Sequence, residues 1–226
     1  MTLRLRFLLR LAIGVPLILA ALFASAGSVN FWQGWAWLAV FFTPILAFMS
    51  YLYRHDPQLL ERRMQVKEKT SAQNLFQAAA PLIFISSLVL SGLDHRFGWS
   101  RRFPGLVPLW LTLASDALVL SGVLFILWVL RVNSFAARTV QVEPGQPVVS
   151  SGPYSFVRHP MYLGAVVMSL ANPLALGSWV ALPVWALVIP ILVLRLLGEE
   201  ALLRRELPGY PEYCLRTRFR LVPFIW

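Results

Sequence analysis

The sequence is poor in charge. Only 13% of its 226 residues are Asp, Glu, Lys or Arg, about half the share of an ordinary soluble domain. It has one cysteine, Cys214, so no intrachain disulfide framework and no cysteine-based metal cluster can form. No glycine-rich phosphate or dinucleotide loop is present, which disfavours a soluble Rossmann-type enzyme. The three histidines, His55, His95 and His159, are scattered, and no metal site is expected from them. Acidic residues number 10 against 20 Lys and Arg, a formal net charge of +10. The arginines fall at the ends of apolar runs rather than in one basic domain. That pattern fits lipid headgroups and topology control, and excludes nucleic acid as the expected partner.

What is abundant is apolar sequence, 58% of the chain. Six runs stand out, at 7–27, 31–53, 75–93, 106–132, 161–176 and 179–197. The expected fold is therefore an all-α integral membrane protein of about six hydrophobic helices. Ala24-Ser25-Ala26 imitates a signal-peptidase site. Several further runs follow it, so an uncleaved first helix is expected. Trp32, Trp35 and Trp37 at one end of the second run, and Tyr51 and Tyr53 at the other, fit interfacial belts. The polar stretch 54–74 fits a short helix lying on the membrane. The fifth run is short and interrupted by Asn172-Pro173, and Gly177-Ser178 turns it into the sixth. These two runs predict a helical hairpin. With both termini inside, 17 of the 20 Lys and Arg lie on the inner side, leaving Arg96, Arg101 and Arg102 outside. Termini and the segment around Ser151 are therefore expected to be cytoplasmic.

The polar features concentrate late in the chain. Residues 151–164 read S-G-P-Y-S-F-V-R-H-P-M-Y-L-G, and Glu199-Glu200 lies at the end of the last apolar run. Gly152-Pro153 signals a turn. His159 precedes a proline and is expected to be extended, with Pro160 opening the fifth helix. Free amides of that first turn, with Arg158, are expected to make an anion site. Gly164 leaves room for a close approach. The same residues also fit a plain interfacial turn, with Arg158 snorkelling and Tyr162 anchoring. Adjacent helical residues point about 100° apart. One of Glu199 and Glu200 is then free to meet a ligand ammonium while the other pairs with arginine. A solvated helix end balanced by Arg195, Arg204 and Arg205 is the alternative. Tyr210, Tyr213, Arg216, Arg218 and Arg220 follow Pro208-Gly209. They read equally well as part of a site or as an aromatic and basic membrane anchor.

The combination G-P-Y-x-x-V-R-H-P-M-Y-x-G, then E-E, then an approximate G-Y-x-x-Y and a basic tail, resembles the isoprenylcysteine carboxyl methyltransferase family. Bacterial relatives and the phospholipid N-methyltransferases share much of it. The resemblance covers roughly residues 133–226 and divides the chain into N-terminal membrane helices, 1–132, and a methyltransferase core, 133–226. It implies S-adenosylmethionine as methyl donor, held by Tyr154, His159, Pro160, Tyr162, Gly164, Glu199 and Glu200. A C-terminal cytosolic extension would close that pocket. Asn133, Tyr210 and Tyr213 are the implied substrate contacts. Arg216, and after it Arg158, are the candidates to orient an acceptor carboxylate. The implied acceptor is a lipophilic carboxylate, such as a prenylated cysteine, entering from the bilayer of a bacterial inner membrane. Two alternatives stay open: a phospholipid amine or small thiol as acceptor, and a non-catalytic assembly protein or transporter.

Overall fold

The computed structural model describes residues 3–64, 71–135, 142 and 145–226, with side chains of 3–8, 62–64 and 71–75 left out of the description. Ten α-helices are described: α1 Leu3–Leu19, α2 Trp32–His55, α3 Pro57–Met64, α4 Ser71–Phe97, α5 Trp99–Arg102, α6 Leu109–Val132, α7 Pro160–Ala175, α8 Leu182–Ala186, α9 Val188–Glu206 and α10 Tyr210–Arg216. No strand occurs among the described residues. Three helices are long and apolar enough to cross a membrane, Trp32–His55, Phe76–Phe97 and Leu109–Val132, while Leu9–Ala24 and Pro160–Ala175 are apolar but shorter.

The sixth run is not one helix. It breaks between α8 and α9 at Leu187. The cause is Pro190, which has no N–H to give the carbonyl of Ala186 and whose ring crowds that carbonyl. Instead the Leu187 amide closes a tighter turn onto the Val184 carbonyl at 3.2 Å. Of the polar stretch 54–74, α3 supplies the expected short helix, and residues 65–70 lie outside the described part.

The chain divides into two compact units. The first comprises Met1–Thr43, Ala80–Leu120 and Ser169–Val188. Its core gathers Leu22, Phe31, Trp37, Leu88, Val119 and Trp185. Trp37 stacks on Phe41 at 4.9 Å, and Phe84 meets Trp185 edge-on at 5.4 Å. The buried Trp37 Nε1 donates to Asn172 Oδ1 at 2.6 Å, so the Asn-Pro interruption carries its own polar anchor. Asp94 accepts from the amide and hydroxyl of Ser100 and from the hydroxyl of Ser178, tying two turns together. A π-helical segment, Ala20–Ala24, follows α1, and Ser25 Oγ donates to the Ala21 and Leu22 carbonyls beside it. Gly92 lets α4 lie directly on this backbone. A methyl placed at Gly92 would sit 1.9 Å from Ser25 Oγ and 2.6 Å from the Leu22 carbonyl oxygen.

The second unit comprises Pro44–Ala79, Ser121–Met168 and Ile189–Trp226. Here α6 and α7 approach through glycines. A methyl at Gly122 would meet Met168 at 2.5 Å, and one at Gly164 would meet Ile126 at 2.8 Å. The close approach expected at Gly164 is thus made by Ile126 and Phe125 of α6. Tyr162 on α7 bonds to Glu199 and Arg195 on α9, which makes the hairpin contact in this unit.

The glycines yield a paired prediction. Gly92→Ala should destabilise the protein by about 1–3 kcal/mol, because backbone must move to admit the methyl. Gly14→Ala, with nothing within 4 Å, should be neutral or stabilising by up to about 1 kcal/mol. Thermal unfolding midpoints in one detergent, compared with wild type, would show opposite signs.

Candidate functional site

A single buried carboxylate organises the second unit. Glu200 is 3% exposed. Its Oε1 receives Arg204 Nη2 at 2.7 Å and Nε at 3.1 Å, and lies 3.2 Å from Arg158 Nη2. Its Oε2 receives Arg220 Nε at 2.8 Å. His159 Nε2 stands 3.8 Å from Oε2, too long for a hydrogen bond. Burial alone would raise the Glu200 pKa. His159 and the three guanidinium groups outweigh burial and hold it well below the usual carboxylate range. Three chain segments, 158–159, 200–204 and 220, therefore converge on one charge.

The backbone repeats this convergence. The Arg158 amide donates to the Phe219 carbonyl and the His159 amide to the Arg220 carbonyl, both at 2.9 Å. This extended pairing is what the residue before Pro160 favours. Arg158 then lays its guanidinium under the end of α10, with Nη1 3.3 Å from the Thr217 carbonyl and 3.5 Å from that of Cys214. A cation at carbonyls left open by a helix end is a favourable placement. Gly152, at φ +58, opens a short 3-10 turn, Gly152–Ser155, that aims Tyr154 inward. Asn133 Nδ2 donates to Tyr154 Oη at 3.0 Å, while Tyr213 Oη donates to the Tyr154 carbonyl at 2.7 Å.

These elements border an open cavity of about 820 Å³, a volume that includes the solvent at its mouth. Asn133, Tyr154, Arg158, His159, Pro160, Tyr162, Glu199, Tyr210 and Tyr213 all line it. Three buried polar atoms on its wall lack a hydrogen-bond partner: Arg158 Nε, His159 Nε2 and Tyr210 Oη. Unmade bonds of this kind are costly in a folded protein and point to a ligand. Burial, reinforced by nearby acidic groups, pushes the Tyr210 phenol far up its scale, and burial does the same for Tyr213. Both keep their protons at neutral pH. The half-buried Glu199 accepts from Tyr162 Oη at 2.5 Å, and Tyr162 Oη accepts from Arg195 Nε at 3.0 Å. Valines 148 and 149 with Leu203 and Leu207 give the wall an apolar part.

Three expected site residues are placed elsewhere. Glu200 belongs to the ion cluster and does not line the cavity, so the two acids divide as their angular separation implied. Gly164 packs between helices. Arg216 lines a different cavity with Ser155, Phe156, Arg218, Phe219 and Phe224. The expected free amides at the start of α7 also differ, since those of Tyr162 and Leu163 both bond to the His159 carbonyl. Of the balancing arginines, Arg204 pairs with Glu200, whereas Arg205 pairs with Glu206 at the surface. Arg195, expected only as a balancing charge, is 5% exposed and lines the cavity, its guanidinium carbon 4.5 Å from the centre of the Phe76 ring. Its signal was a lone arginine in V-L-R-L-L, four residues before Glu199 and so on the same helical face.

Residues 111–205 match the isoprenylcysteine carboxyl methyltransferase (ICMT) family. The match confirms the resemblance read from the motif, over less than half of the chain. It spans α7 through α9 and ends before α10. Delta(14)-sterol reductase of Mus musculus is 32% identical over 91 residues, 39% of this chain and 22% of that protein. The chain thus spans well under two thirds of that relative.

The ion cluster sets a stability prediction. Glu200→Gln leaves three arginines around a neutral amide and should cost about 3–5 kcal/mol. The folded pKa of Glu200 lies below its ordinary value of 4.5, so the folded state binds fewer protons there than the unfolded chain. The stability from the cluster is then complete above about pH 4.5 and is lost as pH falls through the folded value. Unfolding midpoints measured from pH 7 down to pH 3 should fall more steeply below pH 4.5 in wild type than in the glutamine variant.

Proposed function

We propose that this protein is an integral-membrane methyltransferase that uses S-adenosylmethionine to methylate a carboxylate on a lipid-like or prenylated molecule. The observation that carries the reading is the set of unpartnered buried polar atoms on residues that line one cavity together with Glu199. The family match over residues 111–205 supports the same class of enzyme. Both named comparisons, a prenylcysteine methyltransferase family and a sterol reductase, concern water-insoluble molecules, which supports a lipid-like acceptor.

The residues present fit the methyl donor. Glu199, held in place by Tyr162, would take its ammonium. Arg158 Nε and His159 Nε2 would meet its carboxylate, and Tyr210 Oη would give one further hydrogen bond. Val148, Leu203 and Leu207 would cover the nucleoside. Bound there, the donor supplies a methyl group on a positively charged sulfur, already activated for transfer. What remains for the chain is orientation and exclusion of water. An acceptor carboxylate brings its own nucleophilic oxygen and needs no base. Arg158, its Nη groups held by Glu200 and the carbonyls at the end of α10, has only Nε to offer, and that is assigned to the donor. Asn133, Tyr154 and Tyr213 would shape the acceptor's approach. With both termini inside, the cavity would open to the cytoplasm of a bacterial cell, where the donor is made.

One observation favours a second reading. Methylating a phospholipid amine requires loss of a proton, and on that reading the unpartnered His159 Nε2 would accept it instead of donating to the methyl donor's carboxylate.

Calorimetry in detergent tests the site. S-adenosylhomocysteine should bind wild type, and Glu199→Gln and His159→Ala should each weaken it about 10- to 100-fold, as expected for loss of a charge-assisted hydrogen bond. No binding to wild type would leave a non-catalytic membrane protein. Labelled methyl donor incubated with membrane extract should give base-labile counts for an ester; base-stable counts would select the amine reading.

A further inference from the structure

Five arginines cluster late in the second unit, and they have different fates. Arg158, Arg204 and Arg220 share Glu200. Arg216 and Arg218 are exposed and form no ion pair among the described residues. Glu212 stands one helical turn before Arg216 on α10, yet no bridge joins them. Among the described residues, then, two exposed cations without an ion pair line one cavity.

They do so in a cavity. Arg216, Arg218 and the Ser155 side chain line it together with the rings of Phe156, Phe219 and Phe224. Around it the surface is apolar: Phe156 is 68% exposed, Leu215 77% and Phe224 90%. Phe224 adopts φ +65, unfavourable for an aromatic residue. A closing turn holds it there, in which a backbone oxygen of Trp226 accepts the Leu221 and Val222 amides. Folding alone gains nothing from straining backbone to hold a phenyl ring in water. Phe156 also lies four residues before Pro160, where the apolar helix α7 begins, so a bilayer that takes up α7 would have its interface near this cavity.

We propose that this second cavity seats the phosphate of an anionic phospholipid, with Arg216 and Arg218 as its cations and Phe156 and Phe224 reaching among the acyl chains. Arginine forks match phosphate oxygens, and exposed aromatics beside basic residues are the composition of an interfacial anchor. A nucleic acid or acidic peptide would meet the arginines but leave the apolar rim in water. The same segment is bonded to Arg158 and His159 through Phe219 and Arg220, so lipid binding would steady the wall of the other cavity. The inference does not depend on methyl transfer.

Native mass spectrometry of the full chain, released from detergent after titration with phosphatidylglycerol or phosphatidylcholine, tests it. Wild type should retain phosphatidylglycerol preferentially. R216Q/R218Q should weaken that retention about thirty-fold, equivalent to about 2 kcal/mol for two interfacial arginines, and leave phosphatidylcholine unchanged. Phe224→Ser should weaken both lipids, and an unchanged unfolding midpoint would verify the fold of each variant. Equal retention of the two lipids by wild type, or an unaltered preference in the double variant, would overturn the proposal. Displacement by millimolar inorganic phosphate would do so too, leaving an ion site without a lipid.

Discussion

The site depends on a contest between dehydration and charge at Glu200. A carboxylate removed from water is strongly disfavoured unless its oxygens are fully occupied. Here each oxygen has at least one guanidinium partner, and those partners come from three parts of the sequence. The cluster closes the tail onto the turn before α7 and fixes the wall on which Arg158 and His159 stand. It also explains how two neighbouring acids avoid competing. Glu200 faces the arginines and Glu199 faces the cavity, because helical geometry gives consecutive side chains different directions.

Much of the fold was legible because apolar runs and proline positions act locally. The second, fourth and fifth runs correspond closely to α2, α6 and α7, and Pro160 opens α7 as its missing amide allows. The break at Leu187 is equally local, since Pro190 of the sixth run has no N–H for the Ala186 carbonyl. The motif brought nine of its expected residues to one cavity. Arg220 was not legible as a Glu200 partner. It lies twenty residues away, and its approach depends on backbone pairing that no periodicity reveals. The placement of Arg216 was hidden for a similar reason. Gly209, at φ +82, starts α10 in a direction that a sequence pattern does not encode.

The two cavities answer different demands with the same residue type. Arginines that share an acid are structural, because removing their common partner leaves charge buried. Arginines without one keep their attraction for whatever lies outside. The numbers of bases and acids alone would not separate these roles, and the formal charge of +10 is thus unevenly available.

The row Arg195, Tyr162, Glu199 has one further property. A guanidinium can only donate, so the phenol oxygen receives from Arg195 and must send its single hydrogen onward to Glu199. The row has a fixed polarity and cannot reverse. Glu199 Oε2 thereby spends one of its lone pairs on the protein, while Oε1 keeps both. For as long as the tyrosine stands, the two oxygens of this acid are unequal hosts for a visitor, Oε1 being the freer.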